Sequence, residues 1–280
     1  MRLSKVFAAA VAAAVGIGAL TVFGGAAHAD LPRPWEMGFQ APATPVMDRI
    51  EDFHNLLLIL ITAISVFVLA LLIIVMVRFN SKSNPTPSRT THNTFIEVAW
   101  TVVPILILLV IAIPSFKLLY FEDKAVNPDM TIKVTGHQWY WSYQYPDKGN
   151  FQYDSIIVQG SDLKPGEPRL LTVDNAVVVP VGATVRVLLA GDDVIHSWAV
   201  PSFGVKTDAV PGRLNETWFR AEREGTYYGQ CSQICGQGHG FMPIAVKVVS
   251  AADFQKWVAS ALKQYGAVDQ PSPTTVAQAR

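Results

Sequence analysis

Residues 56–77 read LLLILITAISVFVLALLIIVMV, a run without a single charge. As an α-helix it extends roughly 33 Å, enough to cross the hydrocarbon core of a bilayer. A second uncharged run follows at Val98–Phe116 and contains Pro104 and Pro114. A membrane helix tolerates proline when neighbouring helices satisfy the freed carbonyls, so this segment is expected to pack in a bundle. Arg78, Lys82 and Arg89 lie between the runs with no acidic residue, and Pro85 and Pro87 make a short turn. Cationic loops stay on the cytoplasmic side, so everything after Tyr120 is expected to face outward.

The upstream sequence points the same way. Arg2 and Lys5 precede an Ala/Val/Gly/Leu-rich run that ends in Ala27-His28-Ala29, a small-x-small cleavage site. Residues 1–29 therefore read as a secretory signal, with a mature chain starting at Asp30. Residues 30–55 would form an exported N-terminal segment and 56–120 a transmembrane hairpin. With 16% charged residues and a mean hydropathy of +0.28 over 280 residues, the chain is too apolar to be wholly soluble. Its formal net charge of zero provides no field for nucleic acid, so a charged partner must be met by a local patch.

After Asp129 the pattern changes to short β-rich pieces: Met130–Tyr145, Leu170–Val173, Ala176–Val179, Thr184–Leu189, Val194–Val200, Glu216–Phe219, Thr226–Gly229 and Ile244–Val249. Gly, Pro, Asp and Asn separate them at the spacing of an all-β Greek-key sandwich, here residues 121–250. In the remainder, 251–280, Asp253–Tyr265 reads as an amphipathic helix with Phe254, Trp257, Val258 and Leu262 on one side, and the polar stretch from Asp269 as disordered.

The chemistry concentrates in GQCSQICGQGHGFMP, residues 229–243. Cys231, Cys235, His239 and Met242 share this loop, and His196 comes from an earlier strand. Two thiolates, two imidazoles and a thioether form a soft donor set suited to copper. A mononuclear blue-copper site uses one thiolate, so the second cysteine points to two bridging sulfurs and two copper ions. Met242 and a backbone carbonyl near Gln233 would supply weak axial positions. A Cys231–Cys235 disulfide would leave the His and Met residues unexplained, and structural zinc would not require Met242.

This loop, with DVIHSW at 193–198 and GHQWYWSY at 136–143, resembles subunit II of cytochrome c oxidase from the hairpin to about Trp257. The resemblance implies a membrane hairpin followed by a cupredoxin-like sandwich carrying a dinuclear copper A centre. Its ligands would be His196, Cys231, Cys235, His239, Met242 and the Gln233 carbonyl. It further implies that cytochrome c donates electrons through Trp139 and docks on acids matching Asp154, Asp174 and Asp193. Gln144 stands where many relatives carry Glu, which removes one docking charge. Glu97 matches a glutamate at the mouth of a proton pathway of subunit I. Gln233 replaces a Glu that helps hold an interfacial magnesium ion in the family, which puts that ion's binding in doubt.

By this resemblance the chain belongs with subunit I and other oxidase subunits in the lipid of a bacterial inner membrane, its copper domain on the periplasmic side. Oxygen reduction to water and proton pumping would occur in subunit I. Nitrous oxide reductase uses a similar loop but on a large soluble catalytic domain, and a quinol oxidase subunit would lack the ligands. A non-redox copper carrier or oxidase assembly protein is the remaining alternative.

Overall fold

The computed structural model describes residues 31–123 and 125–266; the expected signal at 1–29 and the polar tail from Asp269 lie outside the described residues. Two long helices come first, α1 (Pro45–Arg78) and α2 (Thr94–Asp123). Their best 18-residue windows have mean hydropathies of 3.3 and 2.6. Phe67, Leu72, Leu108 and Val110 are each more than half exposed, an apolar surface that calls for lipid rather than water. Asn80 Nδ2 donates to the Met76 and Val77 carbonyls and so satisfies the end of α1.

The first helix begins well before its uncharged run. Thr44 caps it, its Oγ accepting from the Met47 N–H at 3.1 Å, and Pro45 occupies the first turn. Thr44 also donates to the Phe203 carbonyl, Ala43 N–H donates to Ser202, and Glu222 N–H donates to Ala43. The first turn of α1 is thus strapped to the β domain, with Val46 and Met47 buried. At the C-terminal end of α2, Trp218 Nε1 donates to the Phe121 carbonyl at 3.1 Å and its ring meets the Phe121 ring edge-on. The Arg49 guanidinium caps the same Phe121 ring at 3.4 Å.

Ten strands make the β domain among the described residues: β1 (Met130–His137), β2 (Tyr140–Tyr145), β3 (Phe151–Ser155), β4 (Val177–Pro180), β5 (Thr184–Gly191), β6 (His196–Val200), β7 (Val205–Ala209), β8 (Asn215–Arg220), β9 (Gly225–Cys231) and β10 (Pro243–Val249). They form two five-stranded sheets, ordered β3-β2-β1-β5-β8 and β4-β10-β9-β6-β7. Trp141, Tyr143, Tyr145, Trp198, Phe203 and Phe219 fill the space between the sheets. This is the expected cupredoxin-like sandwich behind a two-helix hairpin. A closing helix, α3 (Ala251–Tyr265), is capped by Ser250 and buries Phe254, Val258 and Ala261 against the domain.

Other local readings differ from expectation: Met130–Tyr145 divides at Gln138–Trp139 into the antiparallel β1 and β2. Leu170–Val173 is a turn rather than a strand, because the Thr172 N–H and hydroxyl both return to the Pro168 carbonyl, leaving only Val173 to bridge Ile157. β3 and β7 were not expected. β7, Val-Lys-Thr-Asp-Ala, lies at a sheet edge, where charged side chains are tolerated and dilute the apolar signal.

β6 and β9 approach closely because residue 229 has no side chain: a Cβ there would lie 1.9 Å from the Ala199 carbonyl oxygen. Both partners are backbone, so neither can rotate away. We therefore expect Gly229→Ala to destabilise the β domain by about 3 kcal/mol. Thermal unfolding of the metal-free chain checks this, and an unchanged midpoint would mean that the two strands do not touch there.

Candidate metal centre

Antiparallel pairing of β6 with β9 sets Trp198 opposite Cys231, which brings the start of β6 beside the end of β9. His196 is fully buried there, its Nδ1 4.0 Å from Cys231 Sγ. Beyond Cys231 the chain leaves the sheet, turns through residues 232–242 and returns as β10. Cys231 N–H donates to the Met242 carbonyl at 3.3 Å and closes the neck of this loop. Inside it, Cys235 Sγ lies 3.9 Å from Cys231 Sγ, 3.6 Å from His239 Nδ1 and 3.5 Å from Met242 Sδ. The Gln233 carbonyl approaches Cys231 Sγ at 3.4 Å. All six expected ligand groups therefore converge.

The cysteines are free thiols, both buried. Their 3.9 Å separation is less than twice a metal–sulfur bond of about 2.3 Å, so an ion can touch both sulfurs, and the cluster fits a bridged metal site. The ligand atoms of His196, Cys231 and Cys235 lie within 4.8 Å of one another. Burial opposes ionisation of Cys231, but hydrogen bonding with His196, with the Gln233 and Ser197 backbone and with His239 outweighs it and holds that thiol below its usual range. Burial and the adjacent Cys231 sulfur push Cys235 the other way. Cys231 therefore gives up its proton more readily than Cys235, and both protons leave when the two sulfurs bind a metal.

Trp139 lies half-buried on the loop. Its Nε1 donates to the Cys235 carbonyl at 3.1 Å, and Gln138 Nε2 donates to the same oxygen at 2.8 Å. Trp141 is fully buried below, donating from Nε1 to the Met242 carbonyl at 3.3 Å, with its ring edge-on to His196.

The three expected docking acids occupy different settings. Asp154 accepts from the Ser142 hydroxyl at 2.6 Å. Asp174 accepts from the Ile156 and Asn175 N–H groups at 2.7 Å, and its charge acts on Tyr265. Asp193 accepts from His196 Nε2 at 2.8 Å. Burial would raise the Asp193 carboxyl, but hydrogen bonds from His196, Val194 and Gln138 outweigh it and hold it below the ordinary carboxylate range.

Desolvation and the charges of Asp154, Asp192 and Asp193 together push the Tyr140 phenol upward. All three carboxylates thus lie near Tyr140, the neighbour of Trp139 in sequence. Asp192 was absent from the expected set, although it adjoins the DVIHSW stretch; its side chain is 68% exposed and pairs with His137 Nδ1 at 3.3 Å. Gln138 was missed too, despite standing inside the GHQWYWSY motif. Glu97 occupies the first turn of α2, roughly 36 Å of helix from Phe121 and so at the opposite end of the hairpin from the metal loop.

Residues 130–249 match the family model of the cytochrome C oxidase subunit II periplasmic domain, and residues 32–118 match that of its transmembrane domain. A probable cytochrome c oxidase subunit 2 of Rickettsia bellii (strain RML369-C) is 53% identical over 241 residues, covering 86% of this chain and 90% of its own. The cytochrome c oxidase subunit 2 of Cyanidium caldarium is 49% identical over 234 residues, covering 82% and 92%. The crystal structure of the periplasmic domain of subunit II of cytochrome oxidase from Bradyrhizobium japonicum shares 55% identity over 51% of this chain and 99% of that one, with a TM-score of 0.48.

The indole of Trp139 rests directly on Gly238, where a Cβ would lie 2.4 Å from the ring. Gly238→Ala should lift the indole from the loop and break its bond to Cys235. The expected result is at least tenfold faster exchange of the Trp139 indole N–H in the metal-free chain, read by NMR. Wild-type protection in the variant would show that the ring is held by something other than this contact.

Proposed function

The chain belongs to the cytochrome c oxidase subunit II family, and from that premise we propose that it relays single electrons from cytochrome c to the haem of subunit I. Membership makes it a membrane-bound, copper-binding subunit of a haem-copper oxidase, an oxidoreductase. The relay reading rests on one observation above all: two thiols, two imidazoles, a thioether and a carbonyl converge beneath an indole at the domain surface. A bridged pair of copper ions would supply a one-electron carrier whose charge change is spread over two centres. His196, Cys231, Cys235, His239, Met242 and the Gln233 carbonyl would hold it.

The protein's own contribution is rigidity and exclusion of water. Cys231, Cys235, His196 and Met242 are buried, and strands anchor both ends of the loop, so the ligands have little freedom to move when an electron arrives or leaves. Trp139 touches the Cys235 backbone and presents its ring outward, which supports electron input at this residue. The carboxylates around Tyr140 suit a cationic donor that docks over Trp139. Asp174 sits further along, toward Tyr265, and is a more peripheral docking charge.

The same reading assigns the copper domain to the periplasmic side of a bacterial inner membrane, with subunit I and other oxidase subunits as partners. Glu97, at the cytoplasmic start of α2, would serve the proton pathway of subunit I. The Gln233 side chain is exposed, and its neutral amide can still face an interfacial magnesium ion, more weakly than a carboxylate would.

Metal analysis and electron paramagnetic resonance test the centre directly. We expect two copper ions per chain and one unpaired electron shared between them in the mixed-valence state. Cys231→Ser should abolish that signal, because a hydroxyl bridges poorly at neutral pH; one copper with a mononuclear resonance would overturn the reading.

Steady-state kinetics test the docking face. Asp154→Asn with Asp192→Asn should raise the KM for cytochrome c several-fold at low ionic strength and flatten its salt dependence, leaving kcat nearly constant. Asp174→Asn should act more weakly, and an unchanged salt profile in the double variant would place docking elsewhere.

A further inference from the structure

The turn that carries Gln138 and Trp139 between β1 and β2 is hydrogen-bonded on both sides to metal-binding segments. On one side stands Asp193. Its Oδ2 accepts from the Gln138 N–H at 2.7 Å, and its Oδ1 accepts from the Val194 N–H at 2.6 Å and from His196 Nε2 at 2.8 Å. On the other side stands the Cys235 carbonyl, which accepts from both Gln138 Nε2 and Trp139 Nε1. Two polar nodes therefore tie together three segments that are 55 and 97 residues apart in sequence.

The chemistry of the first node is directional. An ionised carboxylate only accepts, so the His196 Nε2 that meets it carries a proton, and the ring nitrogen that faces Cys231 and is left for a metal is Nδ1. A carboxylate behind a metal-binding histidine selects the ligating tautomer and fixes the ring. A docking acid, by contrast, needs only its charge at the surface. Both oxygens of Asp193 are taken by three donors, whereas neighbouring Asp192 projects into solvent with a single His137 partner.

We infer that Asp193 and Gln138 are positioning residues of the electron relay. Asp193 orients His196 and ties it to the turn bearing Trp139, and Gln138 holds that turn against the carbonyl of Cys235. This rests on the copper-relay reading above.

The assembled oxidase carrying Asp193→Glu, Asp193→Asn, Asp192→Asn or Gln138→Met provides the test. Asp193→Glu keeps the charge but displaces both oxygens by one methylene. It should alter the mixed-valence resonance and weaken copper retention against a chelator by about tenfold to a hundredfold, with the KM for cytochrome c near wild type. Asp193→Asn should disturb the resonance in the same way and also raise the midpoint potential, because a negative charge near the oxidised centre is lost. Asp192→Asn should leave resonance and potential unaltered and raise KM.

Gln138→Met removes one of two N–H dipoles from the Cys235 carbonyl. It should lower the potential and slow electron transfer from bound cytochrome c several-fold at unchanged copper content. Asp193→Glu that is wild type in spectrum and copper retention, beside Asp193→Asn that changes KM alone, would make Asp193 a docking acid and overturn its positioning role. If the wild-type complex itself lacks the mixed-valence resonance, the relay reading fails on its own. The clamp is still decided in the metal-free chain, where Gln138→Met should speed exchange of the Trp139 indole N–H and unchanged protection would refute it.

Discussion

The short antiparallel ladder between β6 and β9 is the constraint on which the outward tip of the molecule depends. In an antiparallel pair, opposed residues share a face and alternate residues of one strand do too. With Trp198 opposite Cys231, His196 falls on the same face as Cys231 and diagonal to it. That register alone brings an imidazole from one strand to a thiol from another, and it holds only because Gly229 lets the backbones meet. A slip of one residue would turn His196 to the opposite face and leave an unpartnered thiol inside.

The loop that follows uses the same ladder as its neck. Cys231 and Met242 face each other across it, joined by a backbone hydrogen bond, so the chain between them, residues 232–241, can leave the sheet and return without loosening the ends. Cys235 and His239, four residues apart, fill the interior from the loop itself. Trp141 seals the neck from below through the Met242 carbonyl, while Trp139 and Gln138 cover it from outside through the Cys235 carbonyl. The ligand loop is thus held from outside at two carbonyls, those of Met242 and Cys235, in addition to the turns inside it.

What the sequence makes legible follows from how local each signal is. The uncharged run at 56–77 and the crowding of Cys231, Cys235, His239 and Met242 into one loop are contiguous, so element type and donor chemistry emerge without a fold. The start of α1 is only a Thr44-Pro45 cap followed by Asp48, Arg49, Glu51 and Asp52, and those charges hide a helix that the β domain shelters at its outer end. Leu170 and Leu171 look like strand residues, yet the preceding prolines and glycine bend the chain so that its donors are satisfied locally. The partnership of Asp193 with Gln138 and His196 joins residues distant in sequence; only the register of two sheets creates it. A charge in a loop looks the same in one dimension whether it faces solvent or a buried ring.

The double attachment of the β domain to the hairpin has a mechanical consequence. Ala43 and Thr44 fasten the start of α1 to the domain, and Phe121 fastens the end of α2, gripped by Trp218 and Arg49. Two separated anchor points oppose rocking as well as swivelling, which couples the domain, as a head, to its two-helix mast. When a thinner bilayer makes the helices lean, the head must lean with them by the same angle. Membrane thickness then becomes a variable that changes how the metal loop is aimed at its neighbours, without altering a single bond inside it.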